Sequence, residues 1–209
     1  MNYSVIITSA GSGKRANLGY NKLLYQINGK ILLDYTVAKF NDAKEIIITA
    51  SKEDFEFLTN YYKDDSKIKV IIGGDNREAS VFEGVKNINN DIVLIHDGAR
   101  VNVSRKIIED VIDGVINLSS NVIPVIKDEL DKSSRRIGTL VVQTPQGFRK
   151  KELVEAFEMC DKDNKFGDFR DDSSLVYHYL KNPISFVLGD INNFKVTFKE
   201  DLERMEKIL

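Results

Sequence analysis

Five short apolar runs constrain the fold most: residues 5–7, 45–50, 68–72, 92–95 and 121–126, each separated from the next by a stretch of helical spacing. The run at 45–50, EIIITA, is continuous and rich in β-branched residues, which suits a strand buried on both faces. Helices are expected over 31–40, from a Ser51–Asp54 capping box to 62, over 78–88 and over 104–118. Strands alternating with helices imply βαβ units and a mainly parallel sheet. The 209 residues are read as a single domain, 1–209.

Beyond 126 the rhythm breaks. Residues 127–139, KDELDKSSRRIGT, are polar and are read as a projecting arm. A strand over 140–142 follows, then Thr144-Pro145-Gln146-Gly147, read as punctuation. Helices over 151–159 and 173–180, a strand over 185–188 and a last helix from about 199, with a Thr197–Glu200 capping box, complete the chain. The expected architecture is α/β, a Rossmann-like three-layer sandwich with a mainly parallel sheet and a short projecting arm.

Residues 5–22, VIITSAGSGKRANLGYNK, carry a strand straight into the loop Ser9-Ala10-Gly11-Ser12-Gly13, followed by Lys14, Arg15 and Lys22. Without Cβ atoms at Gly11 and Gly13, a phosphate can approach the backbone N–H groups closely. The cations add what phosphate oxygens would use. Three templates compete. The P-loop needs Gly-Lys-Ser/Thr, which is missing. The Rossmann fingerprint fits loosely as Gly11-x-Gly13-x-x-Ala16, but Asn17, Gly19 and Asn21 spoil an early helix, and Asp34 lies in a helical stretch rather than at a strand end. The third, an extended nucleoside-triphosphate loop with its own Arg and Lys, is favoured over a plain βα turn.

Composition narrows the partners. Hydrophobic residues make up 42% and charged ones 30%, as in ordinary soluble globules. A net charge of −2 gives no basic field for nucleic acid. One cysteine, Cys160, leaves neither a disulfide framework nor a zinc cluster. No apolar run approaches the roughly 20 residues of a membrane span, and no signal peptide is visible, so a cytoplasmic protein is expected.

In an open parallel sheet, ligands bind beyond the carboxyl ends of the strands. Besides the first loop, those ends carry Gly73-Gly74-Asp75-Asn76-Arg77 with Ser80, His96-Asp97-Gly98-Ala99-Arg100, and residues 189–195, which end on Lys195. Asp97 suits Mg²⁺, which takes one or two carboxylates plus phosphate oxygens and water, or else caps its turn. His96 reads as a satisfied core histidine. Lys195, flanked by strand-like residues, reads on its own as a surface snorkeller, the usual fate of such a lysine. Asp171-Asp172 precede a helix and read as complements to its dipole. His178 is given no role.

Together these clusters resemble the cytidylyltransferases that make 4-diphosphocytidyl-2-C-methyl-D-erythritol. The markers are Ala10-Gly11-Ser12-Gly13-Lys14-Arg15, Asn21-Lys22, Gly73-Gly74-x-x-Arg77-x-x-Ser80-Val81, His96-Asp97-Gly98-Ala99-Arg100, Thr144-Pro145-Gln146-x-Phe148, Asp171-Asp172 and Asn193-Phe194-Lys195-Val196-Thr197. The resemblance implies that an alditol phosphate attacks the α-phosphorus of CTP and expels pyrophosphate, with Mg²⁺ or another divalent cation on the phosphates. It implies the nucleotide-diphospho-sugar transferase type of the three-layer fold, and catalytic roles for Arg15, Lys22 and Lys195. Nucleotide contacts fall to Ala10, Gly11, Ser12, Gly13, Gly74, Asp75, Ser80 and Asp97, with Asp97 also taking the metal. Arg100, Asp128, Arg136 and Thr144 are implied for the acceptor, and the arm for a homodimer. Departures from the family pattern are Asn21-Lys22-Leu23 for Pro-Lys-Gln, Gly98-Ala99-Arg100-Val101 for Ala-Ala-Arg-Pro, Glu129 for Thr and Arg170 for Thr.

The leading acceptor is 2-C-methyl-D-erythritol 4-phosphate, with ribitol 5-phosphate or a related polyol phosphate as its rival. A nucleotide-sugar glycosyltransferase would normally show Asp-x-Asp after a central strand, and residues 96–99 hold one acid. Arg15, Lys22, Asp97 and Lys195 together argue against a non-catalytic nucleotide binder.

Overall fold

The computed structural model describes residues 2–11, 16–127 and 140–209. Strand β1 (Tyr3–Thr8) precedes a single 3-10 turn (Lys22–Leu24), a hairpin of β2 (Gln26–Ile27) and β3 (Lys30–Ile31), and α1 (Leu32–Ala38). Strict alternation follows: β4 (Glu45–Ala50), α2 (Phe55–Tyr61), β5 (Ile68–Ile72), α3 (Arg77–Val85), β6 (Ile92–Asp97), α4 (Arg105–Asn117) and β7 (Asn121–Lys127). Then come β8 (Leu140–Val142), β9 (Gln146–Arg149), α5 (Lys150–Lys162), α6 (Asp172–Leu180), β10 (Ser185–Leu188) and α7 (Lys199–Glu206).

The main sheet runs β10-β7-β9-β6-β1-β4-β5, with β8 also on β7. Its pairings are parallel except those of β8 and β9. Period-2 alternation sorts the core into two layers. Val5, Ile7, Ile46 and Ile48 face α1, α2, α4 and α7, while Ile6 and Ile47 face α3, α5 and α6. The chain steps outward from β1 to β4 and β5, then returns to the other side of β1 for β6. That reversal opens a crevice at the carboxyl ends of β1 and β6, where Thr8 pairs with Asp97. The site is fixed by this topology.

Several expectations need correction. Gln146 and Gly147, read as the end of the punctuation at 144–147, instead open an antiparallel strand, Gln146–Arg149, between β6 and β7. Gly147 is small there for packing: a Cβ would lie 2.5 Å from Val111 Cγ1 of α4. A hairpin at 26–31 adds to the expected elements: Asn28 and Gly29, at φ 48° and 76°, supply the positive angles of its type I′ turn. The Ser51–Asp54 pair exists, with the Asp54 N–H 3.1 Å from Ser51 Oγ, but α2 begins only after Asp54. At α7 the carboxylate reaching back is Asp201, which accepts from the N–H groups of Thr197 and Phe198, and not Glu200. Of the expected arm, only Lys127 lies within the described residues. Among the described residues, no helix is long and apolar enough to cross a membrane.

Candidate active site

The crevice holds a cavity of about 500 Å³, a size suited to a small-molecule ligand. Ala10 and Gly11 from the first loop, Lys22 from the 3-10 turn, and Gly74, Asp75 and Ser80 from the β5–α3 loop lie on its wall, with Asp97 and Lys195. The strand-end clusters therefore meet, and both lysines border one space. Ser12, Gly13, Arg15, Asp128 and Arg136 lie outside the described residues.

The β5–α3 loop is built to come close. Asn76 caps α3 by accepting the Ala79 N–H at 2.8 Å. Ser80 Oγ lies 2.7 Å from the Asn76 carbonyl. A Cβ on Gly74 would fall 2.5 Å from the Ala79 Cβ, so only glycine lets the loop fold onto the helix start.

Asp97, at the end of β6, is 7% exposed and ringed by cations. Lys195 Nζ lies 2.9 Å from its Oδ2, with Arg100 Nε at 3.5 Å from the same oxygen and Arg77 Nε at 3.5 Å from Oδ1. Burial alone would raise its pKa. Arg77, Lys195 and Arg100 outweigh burial and hold the carboxyl far below the usual carboxylate range. Behind it, the Asp97 N–H donates to Thr144 Oγ1 at 3.1 Å, and Thr144 Oγ1 lies 3.1 Å from His96 Nδ1. His96 Nε2 is 3.0 Å from the Arg100 carbonyl. That carbonyl can only accept, so Nε2 carries the proton and Nδ1 accepts from the Thr144 hydroxyl. Burial pushes the His96 pKa down to about 4, so at neutral pH it is a neutral spacer, as the sequence suggested.

Arg100 and Thr144 stand behind Asp97 rather than on the cavity wall. Arg100 Nη1 donates to the Asn193 carbonyl at 2.7 Å. Asn193 Nδ2 in turn donates to the Thr144 carbonyl at 2.9 Å, and the Val196 N–H to the Ala99 carbonyl at 2.9 Å. These bonds stitch the segment carrying Lys195 to the end of β6.

Asp171 and Asp172 do stand at the start of α6, as read, and Asp172 has a further partner. Asp171 caps α6, accepting the Ser174 N–H at 2.8 Å. Asp172, in the first turn, is fully buried and also faces both terminal nitrogens of Arg77, at 2.9 and 2.8 Å. Burial pushes its pKa up against the pull of Arg77. Gln146 on β9 positions it by accepting the Ser173 N–H at 3.0 Å. Sequence reasoning gave Arg77 no role, yet it lines the cavity between the two carboxylates. An Asp next to a helix cap had no visible partner, because the arginine is 95 residues away.

No group of three or more His, Cys, Asp or Glu side chains is gathered among the described residues, so they hold no preformed metal cage. Asp97 is one ionised hard-oxygen donor among cations. That donor set fits Mg²⁺ arriving with polyphosphate oxygens, which would supply the remaining ligands.

A mainly parallel sheet with this switch-point cavity, glycine-rich wall and lysine pair defines an α/β protein of the nucleotidyltransferase type. The family described as IspD, 2-C-methyl-D-erythritol 4-phosphate cytidylyltransferase, matches residues 3–209. The Clostridioides difficile enzyme of that name is 35% identical over 225 residues, covering 99% of this chain and 93% of the relative. The Halalkalibacterium halodurans protein is 34% identical, covering 100% and 97%. The crystal structure of the Francisella tularensis enzyme superposes with a TM-score of 0.80 at 28% identity, covering all of both chains. That of the Thermus thermophilus enzyme gives 0.79 at 27%, covering 100% and 98%. The chain belongs to the 2-C-methyl-D-erythritol 4-phosphate cytidylyltransferase family.

Proposed function

We propose that this protein transfers the cytidylyl group of CTP to 2-C-methyl-D-erythritol 4-phosphate and releases pyrophosphate. The observation carrying the reading is that Lys22 and Lys195 border the same crevice as Asp97, at the strand reversal where a nucleotide would lie. An oxygen of the acceptor phosphate attacks the α-phosphorus in line, and the P–O bond to pyrophosphate breaks. The nucleophile is already anionic near neutral pH, so no general base is required, and the neutral His96 has none of that work to do. Catalysis is then positioning and charge stabilisation.

In this reading Lys22 and Lys195 donate to phosphate oxygens as negative charge redistributes, and Arg15, by resemblance, joins them. Gly74, Asp75 and Ser80, with the backbone at Ala10 and Gly11, hold the base. Asp97 would hold Mg²⁺ with the triphosphate, the ion supplying charge neutralisation on the phosphates. Asp128 and Arg136 are assigned to the acceptor by resemblance. Arg100 and Thr144 serve it through Asp97. A homodimer is supported by an apolar strip beside the root of the arm, where Phe186, Leu188 and Leu140 are 56%, 81% and 54% exposed. A reaction drawing on CTP suits the cytoplasm.

Pyrophosphate release from CTP, measured against a panel of polyol phosphates, tests reaction and acceptor together. Release with 2-C-methyl-D-erythritol 4-phosphate is expected. Release with ribitol 5-phosphate alone would move the acceptor, and no release with any would overturn the reading.

A further inference from the structure

The geometry points to Asn21 as the residue that positions Lys22, an inference that rests on the cytidylyltransferase reading. The segment leading to Lys22 has no regular structure to aim it: Asn17 and Gly19 turn the chain at φ 53° and 75°. Direction must be set at its last residue. Asn21 Nδ2 donates to the Ser9 carbonyl beyond β1 at 3.0 Å and to Asp54 Oδ2 ahead of α2 at 2.8 Å. Its Oδ1 accepts the Leu23 N–H at 3.1 Å, and its carbonyl accepts the Leu24 N–H at 2.9 Å.

The anchors are themselves fixed. Ser51 Oγ donates to Asp54 Oδ2 at 2.9 Å, and Ser9 N–H and Oγ both donate to the Thr49 carbonyl, at 3.0 and 2.9 Å. Asn21 is 6% exposed, so water competes little for these bonds. One amide thus joins β1, the approach to α2 and the 3-10 turn. The next residue is Lys22, 9% exposed and on the cavity wall. The backbone at Asn21 sits at φ −64° and ψ 118°. That φ is the value a proline ring imposes, about −65°. Side-chain hydrogen bonds here do what a ring could do by covalent constraint.

The test uses the full-length protein as wild type, Asn21→Ala, Asn21→Pro, Asp54→Ala and the Asn21→Ala/Asp54→Ala double variant. Pyrophosphate release gives kcat and the KM for CTP, and thermal melts verify that each variant is folded at the assay temperature. Asn21→Ala is expected to lower kcat about 30-fold with KM within about threefold, because a displacement near 1 Å is enough to lose such a factor. A merely structural role would lower the melting temperature and leave kcat per folded molecule unchanged. Asn21→Pro is expected to recover kcat to within about fivefold of wild type, since its ring restores φ.

Full kcat in Asn21→Ala overturns the inference, as does a folded proline variant no faster than the alanine one. Should the proline variant not fold, the double-mutant cycle decides: a double variant no slower than Asn21→Ala supports a shared action, and additive losses overturn it. If wild type releases no pyrophosphate, the parent reading has failed and this one is judged by amide exchange over residues 16–25. Faster exchange there in Asn21→Ala supports positioning, and unchanged exchange overturns it.

Discussion

Lys195 Nζ stands 2.9 Å from Asp97 Oδ2, a pair brought together across 98 positions of sequence. The carboxylate ends a central strand, while the amine rides on a loop tied to that strand's exit through Ala99, Arg100 and Thr144. A triphosphate entering the cavity would compete with Asp97 for this amine. Arg77 and Arg100 would still compensate the Asp97 charge if Lys195 turned to a phosphate. In this arrangement the amine is held at the site before substrate arrives, with little search left to do on binding.

Lys22→Ala should lower kcat by about 10²–10³, the range for removing one preorganised donor to developing charge, while the KM for CTP moves only a few-fold. Initial rates of pyrophosphate release at varied CTP decide it. Equal losses in kcat and CTP affinity would reduce Lys22 to a binding group.

Asp172→Asn leaves Arg77 without its fully buried counter-ion. Breaking one side of such a pair should destabilise by about 3 kcal/mol, read from urea unfolding at pH 7. Turnover should fall too, because Arg77 then swings toward Asp97. A stability within about 0.5 kcal/mol of wild type, the size of an ordinary surface substitution, would show the ion pair to be idle.

Much of this was legible from residue types alone. Continuous β-branched runs need two covering layers, so EIIITA at 45–50 announced a sandwich, and glycines and cations at strand ends announced the place where one shared cavity opens. What stayed hidden has a common cause in long-range packing. Gly147 reads as a turn because its reason for being small is Val111 on a helix earlier in the chain. Asp172 reads as a helix-end charge because its partner, Arg77, belongs to another element. Asn21 reads as a helix breaker, although its amide satisfies three separate groups. The Asn28-Gly29 pair is a local turn signal, but the strands it joins are only two residues each, too short to show an alternating pattern.

His96 makes folding stability pH-dependent in a defined direction. Its folded pKa, about 4, lies below the 6.5 of an exposed imidazole. The unfolded chain therefore binds the proton first as pH falls. The contribution is fully present above 6.5 and is lost toward 4. The difference amounts to about 3 kcal/mol. Urea midpoints of the nucleotide-free protein should fall steadily across that window, and His96→Gln should flatten the fall. A flat wild-type profile would mean that the imidazole is open to solvent.

Asp97→Asn separates metal binding from charge balance. The amide keeps the shape but removes the negative charge that three cations share. If Asp97 holds Mg²⁺ with the triphosphate, the Mg²⁺ concentration for half-maximal rate should rise about tenfold, since phosphate oxygens and water alone would hold the ion less tightly without the anionic carboxylate. If its work is only to hold Lys195, kcat should fall with the Mg²⁺ titration unmoved. Adding Lys195→Ala distinguishes the two further. A double variant no slower than Lys195→Ala alone would place both residues in one function, whereas a further loss that extra Mg²⁺ restores would leave the metal with Asp97.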